Sequence, residues 1–362
     1  MTNLHIQRLL GRDEVDIDLA EIAAYLDHQV VLVTGAGGSI GSELCRQISR
    51  FKPQKLLLLG RGEQSIYNIN LECRTRFPQL PALPIIADIR DPIRMRQVYD
   101  EFRPQVIFHT AAHKNVELIE AFPEEVVKNN IMGTQIVSEL AHEYGAQRFV
   151  MISTDKAVKP VCVYGAGKRL SEFQIESLSR QSDTIFVTVR FGNVLGARGS
   201  IVPLFQKQIA EGGPVTVHPE ATRYFMTIPE AARLVIQSGA MGKNGEICIL
   251  DMGKPMRILD LATEMIRLAG KEPGIDIQLK FIDLRPGDKL HEELLTQTEG
   301  VHTTRHKKIF IARPDDIDID QLNKTIHDLE CLSKQSERLK IVKKLREIVP
   351  DYQPSLLWLS LC

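Results

Sequence analysis

Short runs of apolar residues recur along the first half of the chain, and amphipathic stretches separate them. The runs predict six strands, at residues 30–33, 55–59, 84–87, 105–108, 148–152 and 186–190. Between the runs, apolar side chains recur every three or four positions, which is typical of helices. Strands that alternate with helices at this spacing predict an α/β fold, a Rossmann-like doubly wound parallel sheet with helices on both faces.

Composition and charge narrow the possible ligands. The 362 residues carry a formal net charge of -1, so no overall field favours nucleic acid or an acidic membrane surface. The six cysteines form no C-x-x-C pair, which predicts reduced thiols. No run approaches the roughly 20 apolar residues that span a bilayer, and no cluster of histidine, cysteine and carboxylate residues predicts a metal site. We therefore expect a cytoplasmic protein without membrane insertion.

A glycine-rich loop follows the first predicted strand and opens a helix. Its glycines have the TGxxGxxG spacing, which brings backbone N–H groups close to a pyrophosphate at a helix N-terminus. The strand–loop–helix context predicts a bound dinucleotide. Contacts to it are expected from this loop and from the loop after the fourth strand, at Gly35, Gly38, Ser39, Ile40, Gly41 and Ala111.

The residues after the second and third strands bear on which dinucleotide binds. NAD-binding folds usually place an acidic residue after the second strand, where it bonds the ribose hydroxyls. Here Gly60 and Arg61 leave room and positive charge for a 2′-phosphate, which favours NADP, although Glu63 could contact the ribose of NAD instead. Asp88 and Ile89 follow the third strand and are expected at the adenine, with helix capping as the alternative role of Asp88.

These patterns divide the chain into four parts. After residue 190, glycine and proline become denser and the elements shorten, which predicts a smaller, partly discontinuous lobe. The charged C-terminal segment has helical periodicity and is expected to pack on the outside or in a homo-oligomer contact. The parts are a helical preamble, a dinucleotide-binding domain with a returning segment, a substrate-binding lobe and a C-terminal helical tail, at residues 1–28, 29–190 (return at about 226–255), 191–225 with 256–315, and 316–362.

Chemically active side chains concentrate after the fifth strand. Tyr164 and Lys168 are spaced i, i+4 and so share one face of a helix. Lys168 is expected to lower the pKa of the Tyr164 phenol and to hold the nicotinamide ribose, which would make Tyr164 a general base. Thr154, Asp155 and Lys156 follow the strand directly, and the last two place an acidic and a basic group side by side.

A series of motifs runs through the chain in a fixed order, over roughly residues 4–300. They are HTAAHKNVELIE, NNIMGT, STDKAV followed by YGAGKR, RFGNVLGARGSIVPLF, TRYFMTIPEAARL and LRPGDKLHEELL. The series resembles the extended short-chain dehydrogenase/reductase superfamily, and more narrowly the capsular-polysaccharide branch of nucleotide-sugar 4,6-dehydratases. Three positions depart from that branch, where Met is common in place of Tyr164, Thr in place of Gly167 and Asn in place of Cys162.

The resemblance implies a three-step reaction on a nucleotide-activated hexose, typically UDP-N-acetylglucosamine. Hydride leaves C4 for the cofactor, water is lost across C5 and C6, and hydride returns to C6 to give a 4-keto-6-deoxy sugar. Tyr164, with Thr154 and Lys168, would take the C4 hydroxyl proton. Lys156 would be the C5 base and Asp155 the acid at C6, which at neutral pH requires a lowered pKa of Lys156 and a raised pKa of Asp155.

Polar residues elsewhere in the chain are expected to hold the UDP-sugar. Asn193 stands at the position that the resemblance assigns to the diphosphate. Arg223 and Arg285 carry guanidinium groups that match phosphate oxygens, and a Pro-Gly turn follows Arg285. Lys114 and Glu293 are further candidates. For Lys114, Glu293 and Arg223, a structural role is the alternative.

Two other functions compete with the dehydratase. A nucleotide-sugar 4-epimerase shares the fold, the cofactor and the Tyr164–Lys168 pair, but it needs neither a C5 base nor a C6 acid, so Asp155 and Lys156 favour the dehydratase. A dehydratase that also inverts C5 stays open. A dinucleotide-binding redox sensor without catalysis would need neither Tyr164 nor Lys168.

Overall fold

A nine-stranded, mostly parallel sheet is the centre of the part of the chain that the computed structural model describes, residues 15–294, 300–312 and 318–360. The strands in chain order are β1 Val30–Thr34, β2 Lys55–Gly60, β3 Ala82–Ile86, β4 Val106–His109, β5 Arg148–Ile152, β6 Ile185–Arg190, β7 Asn193–Val194, β8 Val215–Val217, β9 Thr222–Arg223, β10 Phe225–Met226, β11 Ile247–Leu250, β12 Met256–Arg257, β13 Leu279–Phe281, β14 Val301–Thr303 and β15 Ile309–Ala312. Across the sheet the order is β14-β15-β11-β6-β5-β4-β1-β2-β3, and β3 to β11 run parallel. The predicted α/β, doubly wound parallel fold is confirmed.

Helices cover both faces of this sheet. They are α1 Leu19–Leu26, α2 Ser39–Ile48, α3 Glu63–Arg76, α4 Pro92–Phe102, α5 Val116–Ala121, α6 Pro123–Glu125, α7 Gly133–Glu143, α8 Val163–Ser179, α9 Ile201–Ala210, α10 Ile228–Met241, α11 Ile258–Leu268, α12 Ile319–Lys334, α13 Arg338–Ile348 and α14 Leu356–Leu359. A π-helical segment, Val126–Met132, joins α6 to α7, and Asp155–Ala157 forms one 3-10 turn.

The central strands are buried on both faces, which is why they appear in the sequence as continuous apolar runs. Every residue of β1 is buried. Val31 and Val33 join a core that includes Leu44 of α2 and Ile236 of α10, whereas Leu32 faces the opposite core with Val98 of α4. Each fully buried side chain of this size contributes roughly 1.5–3 kcal/mol to stability.

Two antiparallel strands extend the sheet beyond β11. β15 pairs with β11, with Ile247 opposite Ala312, and β14 pairs with β15. We expected these residues in the substrate-binding lobe. They join the main sheet instead, because Ile309 and Ala312 are fully buried on it and cover an edge that β11 would otherwise expose.

The smaller lobe has its own apolar core. It joins α9 and α11 to two short strand pairs, β8 with β13 and β9 with β12. Val202 and Phe205 of α9 pack there with Leu261 and Met265 of α11. Because α9 and α11 come from separate stretches of the chain, the lobe is discontinuous in sequence.

The C-terminal helices pack on α8. Their apolar side chains form a buried cluster with Val163, Ala166, Leu170 and Phe173 of α8, to which they contribute Leu322, Ile326, Leu329, Ile341, Val342 and Leu345. The charged tail therefore buries one side of its helices against the helix that carries Tyr164 and Lys168.

Only the second half of the N-terminal preamble is described, since residues 1–14 lie outside the described ranges. Helix α1 begins after Asp18, whose side chain accepts a hydrogen bond from the Glu21 N–H, and it buries Ile22 and Leu26. Nowhere in the described ranges is a helix both long enough and apolar enough to cross a bilayer.

Candidate active site

A cavity of about 880 Å³ lies between the smaller lobe and the carboxyl ends of β1, β4, β5 and β6. Open parallel sheets bind ligands at this end, where the loops after the strands diverge. Thirteen predicted site residues line it: Gly38, Ser39, Ile40, Gly41, Ala111, Lys114, Thr154, Lys156, Tyr164, Lys168, Asn193, Arg223 and Arg285. Its described lining has seven Lys or Arg against three Asp or Glu residues, which suits an anionic ligand.

The glycine loop is packed so closely that side chains would not fit. A Cβ on Gly41 would lie 2.2 Å from the Gly35 carbonyl oxygen, and a Cβ on Gly35 would lie 2.8 Å from the Ala111 nitrogen. Gly35 also has φ +68°, which favours glycine. Helix α2 begins at Ser39, so its N-terminal N–H groups lie beside the cavity. This cradle fits the pyrophosphate of a dinucleotide.

The residues after β2 and β3 form a charged group. Asp88 accepts hydrogen bonds from Arg90, with 2.7 Å between Oδ2 and Nη2. Burial raises the pKa of Asp88, but its bonds with Arg90 outweigh burial and lower it overall. Arg61 is half exposed, with Nη1 3.8 Å from Asp88 Oδ2 and Nη2 3.4 Å from His113 Nε2.

The two residues expected at the adenine, Asp88 and Ile89, both make contacts within the chain. Both carboxylate oxygens of Asp88 accept from Arg90 within the chain, so Asp88 holds an arginine in place. Ile89 is buried against Gly133, where a Cβ would lie 2.6 Å from Ile89 Cδ1. Neither residue is among those that line the cavity.

Helix α8 and the turn at Asp155–Ala157 are in close contact. A Cβ on Gly165 would lie 2.1 Å from the Lys156 carbonyl oxygen. Cys162 caps the helix, and its Sγ accepts the Gly165 N–H at 3.3 Å, a place where a hydroxyl or carboxamide is usual. Tyr164 therefore lies in the first turn of α8, beside Thr154 and Lys156.

The electrostatics of Tyr164 differ from the prediction. Burial raises the pKa of Tyr164 to about 12, although the Lys156 cation and a hydrogen bond with Thr154 act to lower it. Lys156, and not the Lys168 that we expected, is the cation with the leading effect on the phenol's pKa. Lys168 is itself buried, and desolvation lowers its pKa to about 8 against the opposing effect of Glu172.

A buried ionic network lies behind Lys168. Glu172, one turn further along α8, accepts a hydrogen bond from Ser153 Oγ at 2.5 Å. It also pairs with Arg169 at 2.7 Å and Arg190 at 2.8 Å. Burial would raise the pKa of Glu172, but the two arginines lower it to about 2. The network ties α8 to the ends of β5 and β6.

Asp155 is a buried carboxyl group suited to carry a proton. It is fully buried, and desolvation raises its pKa, as predicted, against the opposing charge of Lys156. Oδ1 accepts from Lys156 Nζ at 3.1 Å and from Thr154 Oγ1 at 2.9 Å. Oδ2 has no hydrogen-bond partner among the described residues, and a Cβ on Gly192 would lie 2.9 Å from it.

Lys156 does not have the lowered pKa that we expected. Its Nζ lies 3.1 Å from Asp155 Oδ1 and 3.0 Å from Glu292 Oε1. Burial alone would lower the pKa of Lys156, but the two carboxyl groups outweigh burial and raise it. The prediction omitted the second carboxyl group, so the structure gives an ammonium ion held between two acids.

Glu292 is the residue that the sequence analysis missed. Its side chain is 1% exposed, and Oε1 lies 3.6 Å from Arg223 Nε as well as beside Lys156. Its neighbour Glu293, the predicted substrate residue, is 45% exposed and pairs with Lys159 at 2.9 Å. Only the backbone of the 285–293 loop decides which of two adjacent glutamates lies beside Lys156.

The remaining predicted substrate residues lie around the cavity in different states. Asn193 Nδ2 is buried without a hydrogen-bond partner in the described residues, so it can donate to a ligand. Arg223 Nη1 donates to the carbonyl oxygens of Thr222 and Leu290, which gives it a structural role as well. Arg285 lies near Glu117 and is half exposed. The pKa of Lys114 is lowered by desolvation and by the positive charges of Lys156 and Arg198.

Arg198 and Asp288 also line the cavity and were not predicted. The Arg198 N–H donates to Ser39 Oγ at 3.1 Å, and its guanidinium group donates to the Gly37 carbonyl oxygen. Desolvation raises the pKa of Asp288, opposed mainly by Arg223 and Lys156. Arg198 lies within GARGS and Asp288 within RPGDK, so the motifs contained both residues but gave neither a role.

The chain matches known proteins over most of its length. A family model described as "Polysaccharide biosynthesis protein" matches residues 31–314. The capsular polysaccharide biosynthesis protein CapD of Staphylococcus aureus is 50% identical over 95% of this chain and 58% of CapD, so the chain spans a little over half of that relative. The UDP-N-acetylglucosamine 4,6-dehydratase (inverting) of Campylobacter jejuni is 29% identical over 86% of this chain and 90% of that protein.

Solved structures share the fold. Pen from Bacillus thuringiensis is 33% identical, with a TM-score of 0.73 over 81% of this chain and 90% of Pen. DesIV, the dTDP-glucose 4,6-dehydratase of Streptomyces venezuelae solved with NAD bound, is 22% identical, with a TM-score of 0.66 over 82% of this chain and 96% of DesIV. At that identity the likeness to DesIV shows the fold alone. Together the family match, the fold and the motifs confirm the resemblance: the chain belongs to the polysaccharide biosynthesis protein family, within the extended short-chain dehydrogenase/reductase superfamily.

Proposed function

We propose that the chain is a nucleotide-sugar 4,6-dehydratase whose substrate is UDP-N-acetylglucosamine and whose cofactor is a nicotinamide dinucleotide. The observation that carries this proposal is the largely buried group Asp155–Lys156–Glu292 beside Tyr164. Removal and return of hydride at C4 need only Tyr164 and the cofactor. An additional buried acid and amine are what elimination across C5 and C6 requires. This favours the dehydratase over the 4-epimerase.

The residues fit a nicotinamide dinucleotide. The glycine cradle is shaped to receive a pyrophosphate, and a Cβ on Gly41 would disturb that shape because it would clash with the Gly35 carbonyl oxygen. Lys168 lines the cavity one turn from Tyr164. When bound, the oxidised cofactor supplies a positive charge and accepts and returns hydride. Arg61 favours NADP, because its guanidinium group is half exposed and could meet a 2′-phosphate.

Proton transfer at C4 falls to Tyr164. Its phenol is neutral at pH 7, since its pKa is about 12, and added positive charge nearby would favour the phenolate. Lys156 and the Thr154 hydroxyl already act in that direction. Tyr164 can thus take the C4 hydroxyl proton, and Thr154 holds the phenol oxygen of Tyr164 in a hydrogen bond.

Elimination uses the other two groups. Lys156 must first release its ammonium proton, and Asp155 Oδ1, 3.1 Å away, belongs to the carboxyl group whose raised pKa suits it to accept that proton. The free amine then takes the proton from C5, while protonated Asp155 donates its proton to the C6 hydroxyl, which leaves as water. Lys156 afterwards returns its proton to C5 as hydride reaches C6. The proton that Tyr164 took from the C4 hydroxyl replaces the one that Asp155 gave to the departing oxygen, so the sum is the loss of one water molecule.

The UDP part of the substrate is supported by charge and by one unpaired donor. Cations outnumber carboxylates in the cavity lining, and the buried Asn193 amide can donate to a diphosphate oxygen. The relative from Campylobacter jejuni is named for UDP-N-acetylglucosamine and for inversion, so inversion at C5 is the second candidate outcome. A cytoplasmic location and a homo-oligomer belong to the same proposal, the former in keeping with free cysteines among the described residues.

The test is to incubate the purified protein with UDP-N-acetylglucosamine in deuterium oxide and to follow the products by proton NMR. We expect a new C6 methyl signal, deuterium at C5 and no net consumption of cofactor. A parallel reaction in ordinary water keeps the proton at C5, and after reduction of the 4-keto group the H4–H5 coupling reports the C5 configuration. Formation of the C4 epimer alone would overturn the proposal in favour of the epimerase. Other nucleotides and hexoses serve to define the substrate range.

A further inference from the structure

The C-terminal tail reaches the start of the helix that carries Tyr164. Glu120, at the end of α5, is 2% exposed and connects the two. Its Oε1 accepts the N–H of Val163, the first residue of α8, at 2.6 Å. Its Oε2 accepts the Ser355 hydroxyl at 2.7 Å. One buried carboxylate thus joins the tail to the residue next to Tyr164.

A second contact holds the loop before α8. The Gln353 N–H donates to the Pro160 carbonyl oxygen at 2.9 Å. On the other side of this loop, Lys289 Nζ donates to the Val158 carbonyl oxygen at 2.7 Å, and Glu293 pairs with Lys159. The loop between Lys156 and Tyr164 is therefore held from the substrate lobe on one side and from the tail on the other.

The first turn of α8 depends on hydrogen-bond partners from outside the helix, because its own capping residue is a weak acceptor. The thiol of Cys162 is a weak acceptor and serves one N–H, that of Gly165. The Val163 N–H depends on Glu120 instead, and a carboxylate is the favoured partner at a helix N-terminus. Gly287 is packed against the same residue, since a Cβ there would lie 3.1 Å from Glu120 Cγ. Glu120 therefore contacts α8, the tail and the loop that carries Arg285.

We propose that two tail residues, Ser355 through Glu120 and Gln353 through its bond to Pro160, position the first turn of α8 and so set the place of Tyr164 relative to Lys156. These are positioning residues: neither they nor Glu120 line the cavity. The tail is then part of the machinery for proton transfer at C4. The kinetic half of its test rests on the proposed function, whereas the structural half does not.

The first measurement is amide hydrogen exchange, followed by mass spectrometry of the whole protein after peptide cleavage. Ser355→Ala leaves Glu120 Oε2 without its partner, and we expect exchange to be several-fold faster in the peptide that covers Val163 and Tyr164. Ser355→Thr keeps the hydroxyl and should restore slow exchange. The matched control is Ser333→Ala, because Ser333 is also a buried tail residue and its hydroxyl donates to the Glu330 carbonyl of its own helix. Equal exchange in Ser355→Ala and Ser333→Ala would overturn the proposal.

The second measurement is the rate of cofactor reduction in a single turnover, with a substrate that the unmodified enzyme converts. We expect Ser355→Ala to lower this rate about tenfold, since small displacements of a catalytic group have effects of this order or larger, while KM stays unchanged. Ser355→Thr should recover the rate, and Ser333→Ala should not lose it. An unchanged rate in Ser355→Ala would contradict the proposal. So would a change of both KM and rate in Ser355→Ala that Ser333→Ala showed as well. Failure of the proposed function would leave the exchange result standing.

Discussion

The two ends of the cavity differ in what forms them, which is the backbone at the cofactor end and charged side chains at the catalytic end. At the cofactor end, consecutive residues of one loop form the cradle, and close backbone packing around Gly35 and Gly41 determines its shape. At the catalytic end, Asp155 and Lys156 meet Glu292, and side-chain charges determine the outcome. The comparison teaches that a backbone site can be inferred from spacing, whereas the protonation of a charged site depends on a partner far away in sequence.

The largest expected effect comes from Asp155→Asn, which removes the acid and keeps the side-chain shape. Dehydration should fall about 10²- to 10⁴-fold, the usual contribution of a general acid. Oxidation at C4 should continue, because Tyr164 is untouched. The C6 methyl signal in proton NMR measures dehydration, and the absorbance of the reduced cofactor measures oxidation at C4. A variant that forms the methyl product at the original rate would show that the acid has been misassigned.

Gly41→Ala tests the cofactor end. The new Cβ would lie 2.2 Å from the Gly35 carbonyl oxygen, so the loop must move. We expect the affinity for the nicotinamide dinucleotide to fall by about 10- to 100-fold, measured by titration of the cofactor's fluorescence. Gly38→Ala is the milder variant for comparison, since its Cβ would lie 3.0 Å from the same oxygen, and it should lower the cofactor affinity less. The reverse order would mean that loop packing does not control binding.

Glu292→Gln tests the charge at the catalytic end. The Glu292 carboxylate raises the pKa of Lys156, so a neutral amide should lower that pKa. The free amine then persists to lower pH, and the acid-side limb of the kcat/KM profile should move to lower pH. Glu293→Gln is the matched control, because Glu293 pairs with Lys159 at the surface, and its profile should not move. Equal shifts in both variants would contradict the assignment.

The smallest effect is expected from Arg61→Ala. The arginine is half exposed, so the loss of NADP affinity should be about tenfold, with NAD affinity nearly unchanged. Binding titrations with both cofactors measure the difference. Arg74→Ala removes an exposed positive charge from α3 and should affect neither cofactor. An equal loss for NAD and NADP would remove Arg61 as the discriminating residue.

Much of the fold could be predicted, because it depends on local patterns. Apolar runs marked the parallel strands, and the glycine spacing marked the turn between β1 and α2. The antiparallel β14 and β15 could not be placed in this way, because a short apolar strand such as Ile309–Ala312 does not specify its partner. The π-helical segment Val126–Met132 packs closely on α8, since a Cβ on Gly167 would lie 2.2 Å from Val126 Cγ1, and a contact of this kind is not visible in a local sequence pattern.

By itself, the sequence determined the sheet, the cradle, and the presence of Tyr164, Lys168, Asp155 and Lys156 in one region, because neighbours in sequence stay neighbours in space. Only the tertiary structure decided their electrostatics. It brought Glu292 to Lys156 across more than a hundred residues, so the pKa of that lysine is raised where burial alone would lower it. It also placed the partly buried Tyr164 where desolvation raises the phenol's pKa to about 12. Coulomb energies depend on distance and on access of water, and the chain acquires both only when it folds.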